Sequence, residues 1–372
     1  MKESRWRQVW TITRIELRRA FFSKRAFWVY ALAVFPSLIF LVYHTQVKFQ
    51  TMSLSEDVQI TPAQLDGVNP GETAEAVIAR LGKSKRDFET QSSRRIRGNE
   101  ADGGAATAEP ASETTIYRYM TYFDGRRTAQ LSFENGILFS KSTRLVKDFE
   151  EDRRIFAGVF QFFYLRLAIF FGCLGIFMNL FRGEMLDRTL HYWFLAPARR
   201  DVLLAGKYGA GLIASTVIFT CGALLCFGFM VWPHNSQEVH AFMKSAGIGH
   251  AFWYATAAAF GCIGYGSVFL AAGLFMRNPI TPAAIMLIWE SINGFLPQFM
   301  QKSSILYYLQ SLCPTPAPVS QDVTGLLLIF LAPATPASRF GAITGILTIT
   351  AVVFLLARYA IMHMQISYGS AE

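Results

Sequence analysis

Three strongly apolar stretches of this chain run for eighteen residues or more without a charge: Ala26–Tyr43, Tyr208–Trp232 and Phe340–Ala357. Each is long enough to cross a hydrocarbon layer of ~30 Å as a helix. Three more are nearly as clean. Ile155–Phe181 holds only Arg166, Ser245–Met276 only the titratable His250, and Ile280–Met300 only Glu290. Helix is the one state that satisfies the backbone of such a segment within lipid. The expectation is an all-α polytopic membrane protein with six spans. The apolar run Gly325–Pro333 is too short to cross and is expected to re-enter or lie at the interface, within an external loop over residues 301–339. No short apolar core with a cleavage site precedes the first span, so that span is expected to be retained.

The charges give an orientation. The chain has 35 basic and 26 acidic residues, a surplus of nine. In a soluble chain that surplus would point to nucleic acid. With an intracellular N-terminus, the inner pieces are residues 1–25, 182–207, the turn 277–279 and the end of 340–372. They hold fifteen basic and six acidic residues, and everything outside sums to zero. The whole surplus falls on one face, which the positive-inside rule makes cytoplasmic. No nucleic-acid partner is expected. The five cysteines imply no disulfide framework, because four lie within spans.

Between the first and second spans lies an insertion, residues 44–154, expected to be extracytoplasmic. Thr73–Leu81 reads as helix, and Gly103–Thr115 as a small polar linker. Tyr117–Phe133 reads as a hairpin turning at Asp124-Gly125. Ser142–Arg154 reads as a charged helix entering the second span. The insertion is therefore α+β in an otherwise helical chain. A second, shorter external loop is expected over residues 233–244.

Two inner segments stand out. Ser4–Phe22 carries Trp6, Trp10, Thr13, Leu17 and Phe21 on one stripe, with arginines over much of the rest. This is the pattern of an amphipathic helix lying on a membrane surface. Residues 182–207, RGEMLDRTLHYWFLAPARRDVLLAGK, form an unusual insert between spans. Glu184–Phe194 can form one helix, Pro197 breaks it, and Asp201 can cap a second helix, Val202–Lys207. Such a helix–proline–helix piece is a rigid projection able to transmit force from a cytoplasmic partner.

Glu184, Thr189-Leu190, Leu195, Pro197, Arg199-Arg200, Leu203-Leu204 and Gly206-Lys207 resemble the cytoplasmic segment of ABC-2 type transporter permeases. Glu16-Leu17 and Ser23-Lys24 resemble that family's connecting helix, and Leu309–Pro314 its last external loop. The six-span topology is similar over essentially the whole chain. The resemblance implies a half-channel that pairs with a second permease, as a homodimer or heterodimer, and docks an ATPase subunit at the 182–207 segment, its coupling helix. ATP-driven closure of the ATPases would then move substrate, by export, across a plasma membrane, the bacterial inner membrane. Glu184, Thr189, Leu190, Leu195, Pro197, Arg199, Arg200 and Lys207 would couple to the ATPase. The long first external loop departs from the commonest family pattern and leaves the substrate class open.

No cofactor is expected on this chain. A phosphate-cradling loop needs G-x-x-x-x-G-K-[ST], and neither Gly82-Lys83 nor Gly206-Lys207 sits in one. ATP and Mg²⁺ are expected on the partner subunit, and the chain itself is not expected to be an enzyme. Glu290 is a functional candidate as an intramembrane acid. It would line a path or pair across a dimer; the structural alternative is a bond to Arg166 or Asn293. Gly264–Ser267 (GYGS) has a nucleophile-like look, but small residues in a membrane helix usually serve close packing. A different class of function stays open: a non-transporting membrane subunit that senses through its external domain and signals inward.

Overall fold

The computed structural model describes residues 5–22, 26–55, 60–95, 112–125, 127–186, 195, 199–234, 236–276, 278, 280–293, 296–316 and 335–363. The chain divides into two compact units, Met1–Leu41 with Phe149–Glu372, and Val42–Asp148.

The first unit is helical. α1 is Arg5–Phe22, and α2 is Ala26–Ser55, whose residues from Val42 onward are counted with the second unit. One long helical run then comprises α5 (Phe149–Val159), a π-helical stretch (Phe160–Ala168) and α6 (Ile169–Leu186). α7 is Arg200–Val231. α8 (Ser236–Phe242) passes through a short π turn into α9 (Ile248–Phe275). α10 is Ile280–Ile292, α11 Gln298–Gln301, α12 Ile305–Leu312 and α13 Arg339–His363. Among the described residues five helices are long and apolar enough to cross a membrane. This architecture is that of a multi-pass membrane protein.

The expected fifth span, 280–300, is not one helix. α10 has thirteen residues, a length of about 20 Å against the ~30 Å of a hydrocarbon layer. Helix ends at Ile292, and Pro297 begins the next short helix. An apolar run records what lipid tolerates, not where the backbone turns. At the cytoplasm-assigned turn, Asn278 accepts the Ile280 amide at 3.1 Å and so starts α10. Gly325–Pro333, residues 103–111 of the expected linker, Arg277 and Pro279 lie outside the described residues.

α9 is the hub of this unit, packed against α6, α7, α12 and α13. The small residues expected to permit close packing do so. A Cβ on Gly264 would stand 2.9 Å from Ile305, and one on Gly273 would meet the Met178 backbone. Ser267 is buried and donates to the Gly264 carbonyl at 2.8 Å, a within-helix bond. The nucleophile-like GYGS is thus part of a packed helix. In the second span Phe160, Phe170 and Phe177 are core, whereas Phe162 and Phe171 are exposed.

Gly222 on α7 marks the tightest backbone approach. A Cβ there would lie 2.7 Å from the Ala33 carbonyl oxygen of α2. Backbone cannot swing aside as a side chain can. Gly222→Ala is expected to cost roughly 1–3 kcal/mol through overpacking, read as a lowered unfolding temperature of the purified chain. An unchanged midpoint would mean that α2 is free to move away.

The second unit is a four-stranded antiparallel meander, β1 (Arg86–Arg95), β2 (Ser112–Phe123), β3 (Arg127–Glu134) and β4 (Ile137–Leu145), in that order. α3 (Pro62–Asp66) and α4 (Ala74–Leu81) cover one face. Leu65, Val77 and Leu81 meet Met120, Tyr122, Leu131 and Phe133 in the core. The expected helix over 73–81 and the hairpin at Asp124-Gly125 are present. Gly125 takes a positive φ of 91° there, which a side chain would disfavour. The expected helix over Ser142–Arg154 is corrected: β4 runs on to Leu145 and helix begins only at Phe149. Cross-strand pairing sets that boundary. Thr128 pairs Arg144 and Arg127 pairs Leu145, and Lys141 reaches back to the Leu65, Asp66 and Val68 carbonyls.

Candidate functional site

The candidate site is built where α1, the end of α6 and the start of α7 meet. α1 divides into three stripes. Ile12, Thr13 and Glu16 are buried. Trp6 (80% exposed) and Trp10 stay uncovered beside them, and Arg7, Arg14 and Arg18 lie further round. The expected apolar stripe is therefore split: Thr13 turns to protein, while the tryptophans keep an open face. That face, flanked by arginines, is the form of a helix lying on a membrane surface.

Gly206 lets α1 come close. A Cβ there would be 2.7 Å from Ile12 and 3.2 Å from the Val9 carbonyl. The Thr13 hydroxyl lies 3.0 Å from the Gly206 carbonyl. This approach seats the next residue, Lys207, whose side chain is 0% exposed. Its ammonium donates to Glu16 Oε1 at 2.8 Å, Glu184 Oε1 at 2.9 Å and the Leu180 carbonyl at 2.9 Å. An ammonium has three donors, so all three are used. The Phe181 ring stands 5.4 Å from the nitrogen and adds a cation–π contact. From the exposed side Arg19 reaches Glu184 at 3.5 Å and Glu16 at 3.8 Å. Two carboxylates thus face two cations, and the charge is balanced inside the joint. A buried charge is tolerable only when paired and hydrogen-bonded in this way.

A second set of contacts brings in the last helix. Arg200 donates to the Ile361 and Met362 carbonyls at 3.2 and 3.3 Å, and so caps the end of α13. Asp201 lies 3.8 Å from Arg358 and 3.3 Å from Arg199. Arg199, not Asp201, is the N-cap residue of α7; Asp201 lies two positions further in and accepts the Val202 amide at 3.0 Å. α1, the end of α6, the start of α7 and the end of α13 are therefore joined at one end of the unit.

The five described residues among the expected coupling set fall into three groups. Glu184 and Lys207 are buried and hold the two ends of the 182–207 segment together. Glu184 belongs to the last turns of α6 rather than to a new helix. Arg199 and Arg200 are occupied by neighbours within the chain. Leu195 is 79% exposed and open to a partner. Thr189, Leu190 and Pro197 lie outside the described residues.

Glu290 is also buried; Arg166 acts on it through charge attraction, while its direct hydrogen bonds come from neither expected partner. It accepts the Ser304 hydroxyl and, at 3.1 Å, the Ile305 amide. Ser304 in turn accepts the Tyr307 amide at 3.1 Å as the N-cap of α12. Asn293 donates instead to the Gln301 carbonyl at 3.5 Å. Arg166 sits in the π-helical stretch with its guanidinium 5.8 Å from the Phe162 ring. Glu290 therefore anchors a helix start, where the positive end of the helix dipole favours an anion.

Sequence reasoning missed one buried pair. His234 Nε2 lies 2.9 Å from Asp152 Oδ2, clasping the turn after α7 to α5, with Phe149 packed on the imidazole. Only a tertiary contact could have shown it, since the two are 82 positions apart. Among the described residues no group of three His, Cys, Asp or Glu side chains is placed to hold a metal ion. The arrangement is a charged joint between helices. No family model, curated protein or solved structure matches this chain.

Proposed function

We propose that this chain is the membrane-spanning subunit of an ATP-driven exporter of the ABC-2 type, powered by a separate ATPase. One observation carries the reading. Lys207 joins α1, α6 and α7 at the two ends of the 182–207 segment. A push on that segment would be delivered to all three helices at once, because their joint is buried and its ammonium fully hydrogen-bonded. The last helix is bound to the same end through Arg200, so four helices would move together. The exposed Leu195 offers the segment an apolar contact for the partner.

In this reading a second six-helix subunit, identical or related, completes the path. ATP and Mg²⁺ sit on the ATPase chains. The membrane is the plasma membrane, with both termini and the 182–207 segment on the cytoplasmic side. The separately folded unit Val42–Asp148 supports a second reading, a sensor subunit that signals without transport.

Purification of the tagged chain in mild detergent separates these readings from an isolated role. The exporter reading expects a P-loop ATPase to remain bound, and Leu195→Asp to release it. Recovery of the chain without any ATPase, under conditions that keep it folded, would end the exporter reading.

A further inference from the structure

In the second unit α3 and α4 pack on one face of the sheet, and the opposite face, closed at Phe123, carries partly exposed rings. Side chains alternate along strands, and the core side is fixed by Met120, Tyr122, Leu131 and Phe133. Phe88, Tyr117, Tyr119 and Thr121 therefore point the other way. The register sets Phe88 opposite Tyr119 and Tyr117 opposite Glu134. Phe139, at the irregularity in β4, meets Tyr117 edge-on with ring centroids 6.2 Å apart. Phe88 is 62% exposed and Phe139 49%, and the two tyrosines are half-buried. The rings thus cross the sheet from β1 to β4, about 14 Å at the usual strand spacing.

Between and beside these rings stand Thr90, Thr121, Gln130 and Ser132, uncharged donors and acceptors on the same side. Charge is sparse and nearly balanced, with Arg86 and Arg144 set against Glu134. Tyr117 donates to Glu134 at 3.3 Å, which holds its ring in place. A phosphate chain would need a clear basic excess. An added peptide strand would use a sheet edge rather than a face. A lipid surface would favour an unbroken apolar patch, and here hydroxyl and amide groups interrupt the rings.

We propose that this face binds a neutral oligosaccharide. The apolar C–H faces of successive sugar rings stack on Phe88, Tyr119, Tyr117 and Phe139. Thr90, Thr121, Gln130 and Ser132 meet the sugar hydroxyls. An uncharged polyol with apolar ring faces matches both halves of this surface and its charge balance. The inference stands independently of the exporter reading.

Calorimetric titration of the full chain in detergent tests it, with cellohexaose, chitohexaose and maltohexaose as probes. At least one is expected to bind saturably. Phe88→Ala and Tyr119→Ala are each expected to weaken that binding about tenfold, which corresponds to ~1.4 kcal/mol. Gln130→Ala is expected to weaken it about threefold with an unchanged unfolding temperature, which separates loss of contact from loss of fold. Absence of saturable binding by all three probes would overturn the proposal, as would equal affinity in the ring variants. A photoreactive residue at position 139 supplies a further check. Capture of lipid or of a second copy of this chain there would also overturn it.

Discussion

Replacing Lys207 with methionine is expected to destabilise the helical unit by about 3–5 kcal/mol, the usual cost of removing one partner from a buried ion pair. The ammonium is fully buried and serves Glu16, Glu184 and the Leu180 carbonyl together. Without it two carboxylates would face each other across a dry joint, with the exposed Arg19 at its edge. Their mutual repulsion and their desolvation act in the same direction. The triple variant Lys207→Met, Glu16→Gln, Glu184→Gln removes all three charges and should recover most of the loss. Denaturant unfolding in mild detergent measures both. A loss below about 1 kcal/mol for the single variant is the range of an exposed pair, and would show that water reaches the joint. Failure of the triple variant to recover would place the effect in packing around the lysine stem instead.

The second large effect is expected at Glu290. Its carboxylate serves the Ser304 hydroxyl and the Ile305 amide, and both residues are fully buried. Glu290→Ala leaves two buried donors without an acceptor, each worth about 1–3 kcal/mol. A total of about 2–6 kcal/mol is expected on the same basis, with faster amide exchange at the start of α12. Glu290→Gln keeps one carbonyl oxygen and should lose less. Hydrogen exchange combined with thermal unfolding checks this. If Glu290→Gln were as stable as the parent while transport vanished, the charge would serve a path rather than the helix start.

Much of the fold could be read from the sequence because lipid is a severe solvent. A run such as Tyr208–Trp232 has few other fates, and nearly all of it lies within α7. The hairpin at Asp124-Gly125 was readable for a similar reason, since few residues accept the turn geometry. The failures share a cause: local composition says nothing about tertiary partners. Ser142–Leu145 looks like the start of a charged helix, yet it is a strand because β3 lies beside it. Ile280–Met300 is apolar over most of its length, yet it breaks where Asn293 and Gln301 satisfy a turn.

The candidate site was legible as a list but not as an arrangement. Glu184 and Lys207 stand out as charges at the two ends of an insert. Lys207 meets Glu184 across 23 positions and Glu16 across 191, separations that no spacing rule reaches. The arginine pair shows the same limit. Arg199 and Arg200 read as docking cations, but Arg200 closes α13 and Arg199 begins α7. Among the described residues of the segment, Leu195 is apolar and exposed, as are Trp6 and Trp10 on α1.

The central claim is that the 182–207 segment receives force from an ATPase, and Leu195 is the place to ask. A photoreactive amino acid at position 195, irradiated in native membranes and followed by identification of the captured chain, gives the answer. The account predicts capture of a protein carrying a phosphate-binding P-loop, with a yield that changes when ATP is added. Capture of lipid alone, or of a protein without a nucleotide site, would contradict it.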